Sequence, residues 1–174
     1  YVDLAPDIRI TELMYNPADP TPAEIAAGFL DNDDFEYLEI KNLSATQTLP
    51  LTGLRLSDGV DFTFPSVSSA PGQYMVVVKN QAAFRFRYPA YTGTIAGEYV
   101  GSLNNAGEKI ELDAPVGGII HDFAYKDSWY GHTDGEGFSL TIRDPSGAAG
   151  LWTLKDGWRP SAATGGTPGY DDQL

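Results

Sequence analysis

The sequence predicts an all-β fold, an antiparallel sandwich with one or two short helical insertions. Short runs alternate apolar and polar residues with period two, and turn-forming residues separate one run from the next. The 19 glycines and 12 prolines of the 174 residues punctuate these runs.

In chain order, the first strand is placed at Ile8–Met14. A helical insertion follows, with Thr21 as its cap, Pro22 at the first helical position, Glu24 behind it and Gly28 closing the turn. The oxygen-rich stretch Asp31-Asn32-Asp33-Asp34 resists burial and reads as a loop before the strand at 35–40, where Leu38 and Ile40 share a face. Strands at 54–57 and 62–64 flank the turn Ser57-Asp58-Gly59, and Ala70-Pro71-Gly72 leads into Tyr74–Val78. That strand is apolar on both faces, which suits a central strand covered from both sides. Asn80 caps a second helix that Pro89 stops, with Phe84 and Tyr88 four apart on one face.

Asn104-Asn105-Ala106-Gly107 supplies a tight turn before the strand at 109–112, and Val116-Gly117-Gly118 another before the strand at 119–125. At 138–143, Phe138, Leu140 and Ile142 point one way and Ser139, Thr141 and Arg143 the other. The segment 161–174 reads as a covering loop whose closing Asp171 and Asp172 are solvated. The expected core is Leu38, Ile40, Leu54, Leu56, Val76, Val78, Ile110, Leu112, Phe138, Leu140 and Ile142. A chain this long makes one domain over 1–174, its core at about 8–169 and its ends 1–7 and 170–174 linkers.

Charge narrows the function. Asp and Glu number 24 against 11 Lys and Arg, a net charge of −13. Nucleic acid is a poor partner for such a surface, and so is an anionic membrane face. No apolar run is long enough to cross a membrane. The absence of cysteine excludes disulfides, thiolate metal sites and a Cys nucleophile. The chain opens at Tyr1 without Met or a leader, which reads as a piece of a longer precursor.

Reactive constellations are weak. His121 falls in a strand and His132 in a loop, so a zinc site would need both plus a carboxylate. Ser128, His132 and Asp134 lack the Gly-x-Ser-x-Gly elbow that exposes a nucleophile. Glu36 and Glu39 lie on opposite faces of one strand, as do Glu108 and Glu111, so neither pair can flank one scissile bond. Asp31, Asp33 and Asp34 form the candidate metal site, for calcium, because calcium takes oxygens from irregular loops. Trp129 and Tyr130 form a candidate ligand platform for stacking on a sugar face. Trp152 and Trp158 are expected to pack inside.

Several segments together resemble the lamin-tail domain family in its bacterial form. They run from Ile10-Thr11-Glu12-Leu13-Met14-Tyr15-Asn16-Pro17 and Phe35-Glu36-Tyr37-Leu38-Glu39-Ile40-Lys41-Asn42, through Leu51-Thr52-Gly53-Leu54, Ala70-Pro71-Gly72-Gln73-Tyr74 and Gly101-Ser102-Leu103-Asn104-Asn105-Ala106-Gly107, to Gly165-Gly166-Thr167-Pro168-Gly169. The resemblance covers about 8–169 and implies an immunoglobulin-like sandwich with no catalytic residues. It also implies an accessory module in a large exported or cell-surface protein. The nuclear role of animal relatives does not carry over, because this chain is strongly acidic, has no heptad rod and bears the helical insertion.

The expected function is therefore a non-catalytic interaction or structural module, secreted or at the cell surface. It requires no cofactor, with calcium possible, and its partners are neighbouring domains of the parent protein and protein or glycan surfaces. A carbohydrate-binding module is the first alternative and a hydrolase domain using carboxylates the second. A hydrolase needs two carboxylates, or a carboxylate and a histidine, in one concave site.

Overall fold

The computed structural model describes residues 7–172. Of the end segments read as linkers, residues 1–6 and 173–174 lie outside the described residues. The strands are β1 (Ile8–Met14), β2 (Tyr37–Asn42), β3 (Leu49–Pro50), β4 (Arg55–Ser57), β5 (Phe62–Thr63) and β6 (Ser68–Ser69). They continue as β7 (Tyr74–Val78), β8 (Thr94–Glu98), β9 (Lys109–Asp113), β10 (Ile119–Ala124), β11 (Leu140–Ile142) and β12 (Trp158–Pro160). Two short helices, α1 (Pro22–Ala26) and α2 (Gln81–Arg87), interrupt them.

A six-stranded sheet in the order β12-β11-β1-β2-β7-β8 faces a four-stranded sheet in the order β10-β9-β4-β5, and β3 pairs with β6 alone. The pairings are antiparallel except β7 with β8, which run parallel. This is an immunoglobulin-like β-sandwich.

Apolar alternation builds the space between the sheets. Ile8, Ile10, Leu13, Leu38, Ile40, Met75 and Val77 meet Leu54, Leu56, Ile110, Leu112 and Phe123 there. Each fully buried Leu or Ile contributes about 1.5–3 kcal/mol. Trp152 and Trp158 pack into the same core, and their indoles donate to the carbonyls of Ile10 at 2.8 Å and Trp152 at 2.9 Å. Large rings can be buried completely here because each N–H has an acceptor.

The six-stranded sheet is covered on its outer face as well. Met14, Tyr37, Val76, Val78 and Phe84 form a second cluster beneath α2. Thr21 and Glu24 make a reciprocal capping box on α1, and the Asn80 side chain caps α2. Gly107 explains the turn before β9. Its φ is +102°, and a Cβ there would stand 2.4 Å from the Tyr125 carbonyl oxygen.

Four expectations need correction. Val76 and Val78 are buried as expected, but on the outer face, since Met75 and Val77 take the inner one. Phe138 lies outside β11 and only half-buried, its ring 5.7 Å from that of His132. Asp172 is buried and paired with Arg159, because the covering loop folds back on the sheet instead of leaving it. Finally, β3, β6, β8 and β12 escape the alternation criterion, since they are short or contain Ser, Gly or Pro.

Candidate functional site

The outer face of the six-stranded sheet carries the chemistry, and a bulge in β1 creates it. The β1–β2 register pairs Ile10 with Ile40 and then Glu12 with Glu39, leaving Thr11 as the extra residue. The slip keeps Ile8, Ile10 and Leu13 on the inner face and brings Thr11 and Glu12 to the polar cluster outside. Glu12 and Glu39 are thus cross-strand neighbours, 1% and 2% exposed.

Each carboxylate is held by donors from several elements. Oε1 of Glu12 accepts from the Tyr37 hydroxyl at 2.8 Å, the Thr167 amide at 2.8 Å and the Ser139 hydroxyl. Glu39 accepts from the Thr11 hydroxyl at 2.6 Å and the Gly169 amide at 2.7 Å. Burial raises both carboxyls above the ordinary range, and the charge of Glu12 raises Glu39 further. Burial, then the nearby Glu12 charge, also pushes the Tyr37 phenol up.

Residues 165–169 form a strap bolted onto this pair. The Gly165 carbonyl accepts from Tyr37 at 3.2 Å and Tyr88 at 2.8 Å. Gly166 sits at φ +77°, where a Cβ would stand 2.0 Å from the Tyr37 hydroxyl and 2.3 Å from Oε1 of Glu12. Only glycine lets the backbone come this close. Beyond the strap, Asp172 accepts from the Ala162 amide at 3.1 Å and pairs with Arg159.

The structure therefore brings together two carboxylates that the sequence reading did not pair. The strap covers them, and the space beside them measures about 20 Å³. That accommodates a water molecule, not a glycoside or an ester.

The accessible concavity lies on the other side of the strap. A groove of about 680 Å³ runs between α2 and residues 163–170, with Tyr88, Tyr91, Tyr170, Met14 and Pro168 in its lining. At one side Glu24 and Arg87 form a two-point ion pair, both bonds 2.8 Å long. The Arg87 hydrogen bond, set against partial burial, holds the Glu24 carboxyl down at about 2. The Arg87 guanidinium also lies 3.4 Å over the Phe35 ring.

A third buried acid, Glu36, fixes a different loop. Its Oε2 accepts from the Tyr99 hydroxyl at 2.7 Å and the Leu103 amide at 2.9 Å, and burial raises its pKa to about 8. His121 is buried between the rings of Phe123 and Trp152, and neither ring nitrogen has a hydrogen-bond partner among the described residues. Burial, helped by the charge of Arg9, lowers its pKa to about 3. His132 is exposed and bonded to Glu136 at 2.6 Å, while Asp134 accepts from Asn16. The two histidines do not converge on a zinc site, nor does the Ser128–His132–Asp134 set act as a triad.

The acidic stretch is a 3₁₀ turn over Asn32–Phe35 whose carboxylates are used one by one. Asp31 caps it through the Asp33 amide at 3.1 Å. Asp34 accepts from Asn80 at 3.2 Å, and the Asp33 carboxyl is raised by partial burial and the neighbouring Asp31. Among the described residues, no group of three or more His, Asp or Glu side chains is arranged to hold a metal ion. Asp31, Asp33 and Asp34 are not gathered into such a group.

Trp129 and Tyr130 close and follow the 3₁₀ turn Asp127–Trp129. Both are half-buried against the inner core. The Tyr130 hydroxyl donates to the carbonyls of Lys155 and Trp158, and the Lys155 ammonium lies 5.1 Å from its ring centre.

Glu12, the hub of the outer face, escaped the sequence reading. A signal for it is present in the phase slip Ile8, Ile10, Leu13, which two-residue alternation cannot produce without a bulge. The tyrosines of the groove carry no comparable signal, because they converge from α2, the loop behind it and the strap.

No curated protein matches the chain. The family model of the Lamin Tail Domain matches residues 3–127, which contain β1 to β10 and both helices. Members of that family are non-enzymatic, immunoglobulin-like domains. β11, β12 and the strap lie beyond the matched stretch, yet they complete the same six-stranded sheet and its cover. The chain belongs to the lamin tail domain family.

Proposed function

We propose that this domain is a non-catalytic interaction module of a larger exported or cell-surface bacterial protein. One observation carries the reading. The buried carboxylates, the groups best suited to acid–base chemistry, are occupied by backbone and hydroxyl donors that fasten the fold, while tyrosine and proline rings and glycines make up half the lining of the accessible concavity. Such a surface binds; it offers no nucleophile beside a base. The net charge of −13 directs it away from nucleic acid and anionic membranes and towards neutral or basic protein or glycan surfaces.

Two measurements test this. Deleting the domain from its parent should abolish attachment to the partner and leave the activity of neighbouring domains intact. The isolated domain should turn over none of a panel of glycosides, esters and nucleotides. Turnover that disappears in Glu12→Gln or Glu39→Gln would make it a hydrolase.

A further inference from the structure

We infer that the groove beside α2 docks an extended, proline-rich, basic segment of a partner protein. This inference rests on the interaction-module reading and names the surface it uses.

Size admits it: ligand sites commonly measure about 300–1,000 Å³, and the groove measures about 680 Å³. Chemistry narrows the occupant. The Tyr88 hydroxyl is bonded to the Gly165 carbonyl and the Tyr91 hydroxyl to that of Thr94 at 2.9 Å. These tyrosines therefore offer ring surface more than polar contacts. Tyr170 stands at the rim, 57% exposed. Glycines 93 and 169 both abut the Tyr91 ring, where an added Cβ would stand 2.7 and 2.8 Å from it, so the wall cannot be built with bulkier residues.

The exposed directional side chains in the lining, besides the Tyr170 hydroxyl and the Thr21 cap of α1, are Asp19, Thr92 and Thr164. Glu24 is committed to Arg87 and the Thr21 amide, and Arg87 to Glu24 and the Ala18 carbonyl. A glycan, which needs a polar partner for most of its hydroxyls, meets too few of them. Prolyl rings meet aromatic and glycine surfaces well, and a polyproline II segment arrives already extended.

Charge selects the sign. Among the described residues Arg87 is the only Lys or Arg in the lining, and Glu24 neutralises it. Asp19 is exposed at the groove, within a chain of net charge −13. Lysines or arginines flanking the prolines complement that field.

The test is an amide-resonance titration with a synthetic peptide of about ten residues, prolines alternating with lysines, about 30 Å long when extended. Shifts should concentrate at 88–93 and 165–170. Tyr170→Ala and Asp19→Lys should each weaken binding about tenfold with an unchanged melt, since both side chains are exposed. An equally charged Gly/Ser peptide should bind much more weakly, and a neutral oligosaccharide should leave the groove resonances in place.

Silence towards the proline peptide, equal binding of the Gly/Ser peptide, or indifference to both substitutions overturns the inference. So does a groove that answers only to the oligosaccharide, which would make it a glycan site. Attachment of the parent through this domain would survive any of these results, whereas enzymatic turnover would fell the module reading itself.

Discussion

The two faces of the six-stranded sheet are built on different principles. Inside, branched aliphatic side chains and two tryptophans pack against the second sheet, and stability comes from apolar area. Outside, a smaller apolar cluster is supplemented by Glu12 and Glu39, whose bonds to Thr167 and Gly169 fix a strap at one position. Area tolerates small shifts, whereas a hydrogen bond to a buried carboxylate does not. The outer cover is therefore the more exacting half of the molecule, and it also walls the groove.

Single substitutions on each face break that comparison open. Gly166→Ala should have the largest effect, a loss of about 4 kcal/mol or more. Its methyl would fall among Tyr37, Glu12 and Ser139 at a φ that L residues avoid. Amide exchange should show the strap released first while the inner strands keep their protection. Leu38→Ala, at the centre of the inner face, should cost about 3 kcal/mol by cavity formation. Chemical denaturation of this variant should show that loss, and amide exchange should show protection falling uniformly, with no region released ahead of the rest. If Gly166→Ala proves milder than Leu38→Ala, the strap has slack that the geometry denies.

The buried acids and the buried histidine also oppose one another in pH. Glu36, near the β2 start, has a folded pKa of about 8, above the ordinary 4.5. Its raised pKa makes a stabilising contribution that is complete below about pH 4.5 and lost as pH rises through 8. Glu12 and Glu39 add to this alkaline loss in the same direction. His121, inside, has a folded pKa of about 3, below the ordinary 6.5. Its contribution is complete above about pH 6.5 and lost as pH falls towards 3.

Each group can tilt the stability curve by at most about 1.4 kcal/mol per pH unit. Unfolding free energies measured from pH 3 to 9 should thus show an acidic arm flattened by His121→Phe and an alkaline arm flattened by Glu36→Gln. The Phe ring keeps the edge contact with Trp152 and the tilted contact with Phe123. Swapped effects, or curves parallel to the parent's, would sink the assignment.

How much of this was legible follows from the same contrast. Leu38, Ile40, Leu54, Leu56, Ile110 and Leu112 announce themselves by alternation, because a half-buried strand leaves that imprint. Both helix caps are visible for an equally local reason. The outer face leaves no such imprint: β2 is buried at five of its six positions, so Glu39 reads as solvent-facing when it lies under the strap. Strap and carboxylates are more than a hundred residues apart in the chain, with Thr167 and Glu12 separated by 155 positions. No local rule spans that distance. The groove is hidden for the same reason: Tyr88 reads only as part of a helix face and Tyr170 as part of a linker end.

The smallest predicted effect lies at the acidic turn. A calcium cage and a helix cap call for the same residue type, so Asp31 separates the two roles. As a cap, the exposed Asp31 carboxylate accepts the Asp33 amide at the start of the 3₁₀ turn. Asp31→Ala should then cost about 1 kcal/mol, a melting shift of about 2–4 °C for a domain of this length. As a ligand, Asp31 would make the melting temperature of the parent rise with calcium, and the substitution would erase that rise. The carboxylates of Asp31 and Asp34 point to separate partners, so the parent should melt at one temperature in calcium, magnesium and chelator, with the variant lower by the same interval in each. A calcium-specific rise in the parent that vanishes in Asp31→Ala would show that the turn rearranges into a site, and the cap would then be its resting state.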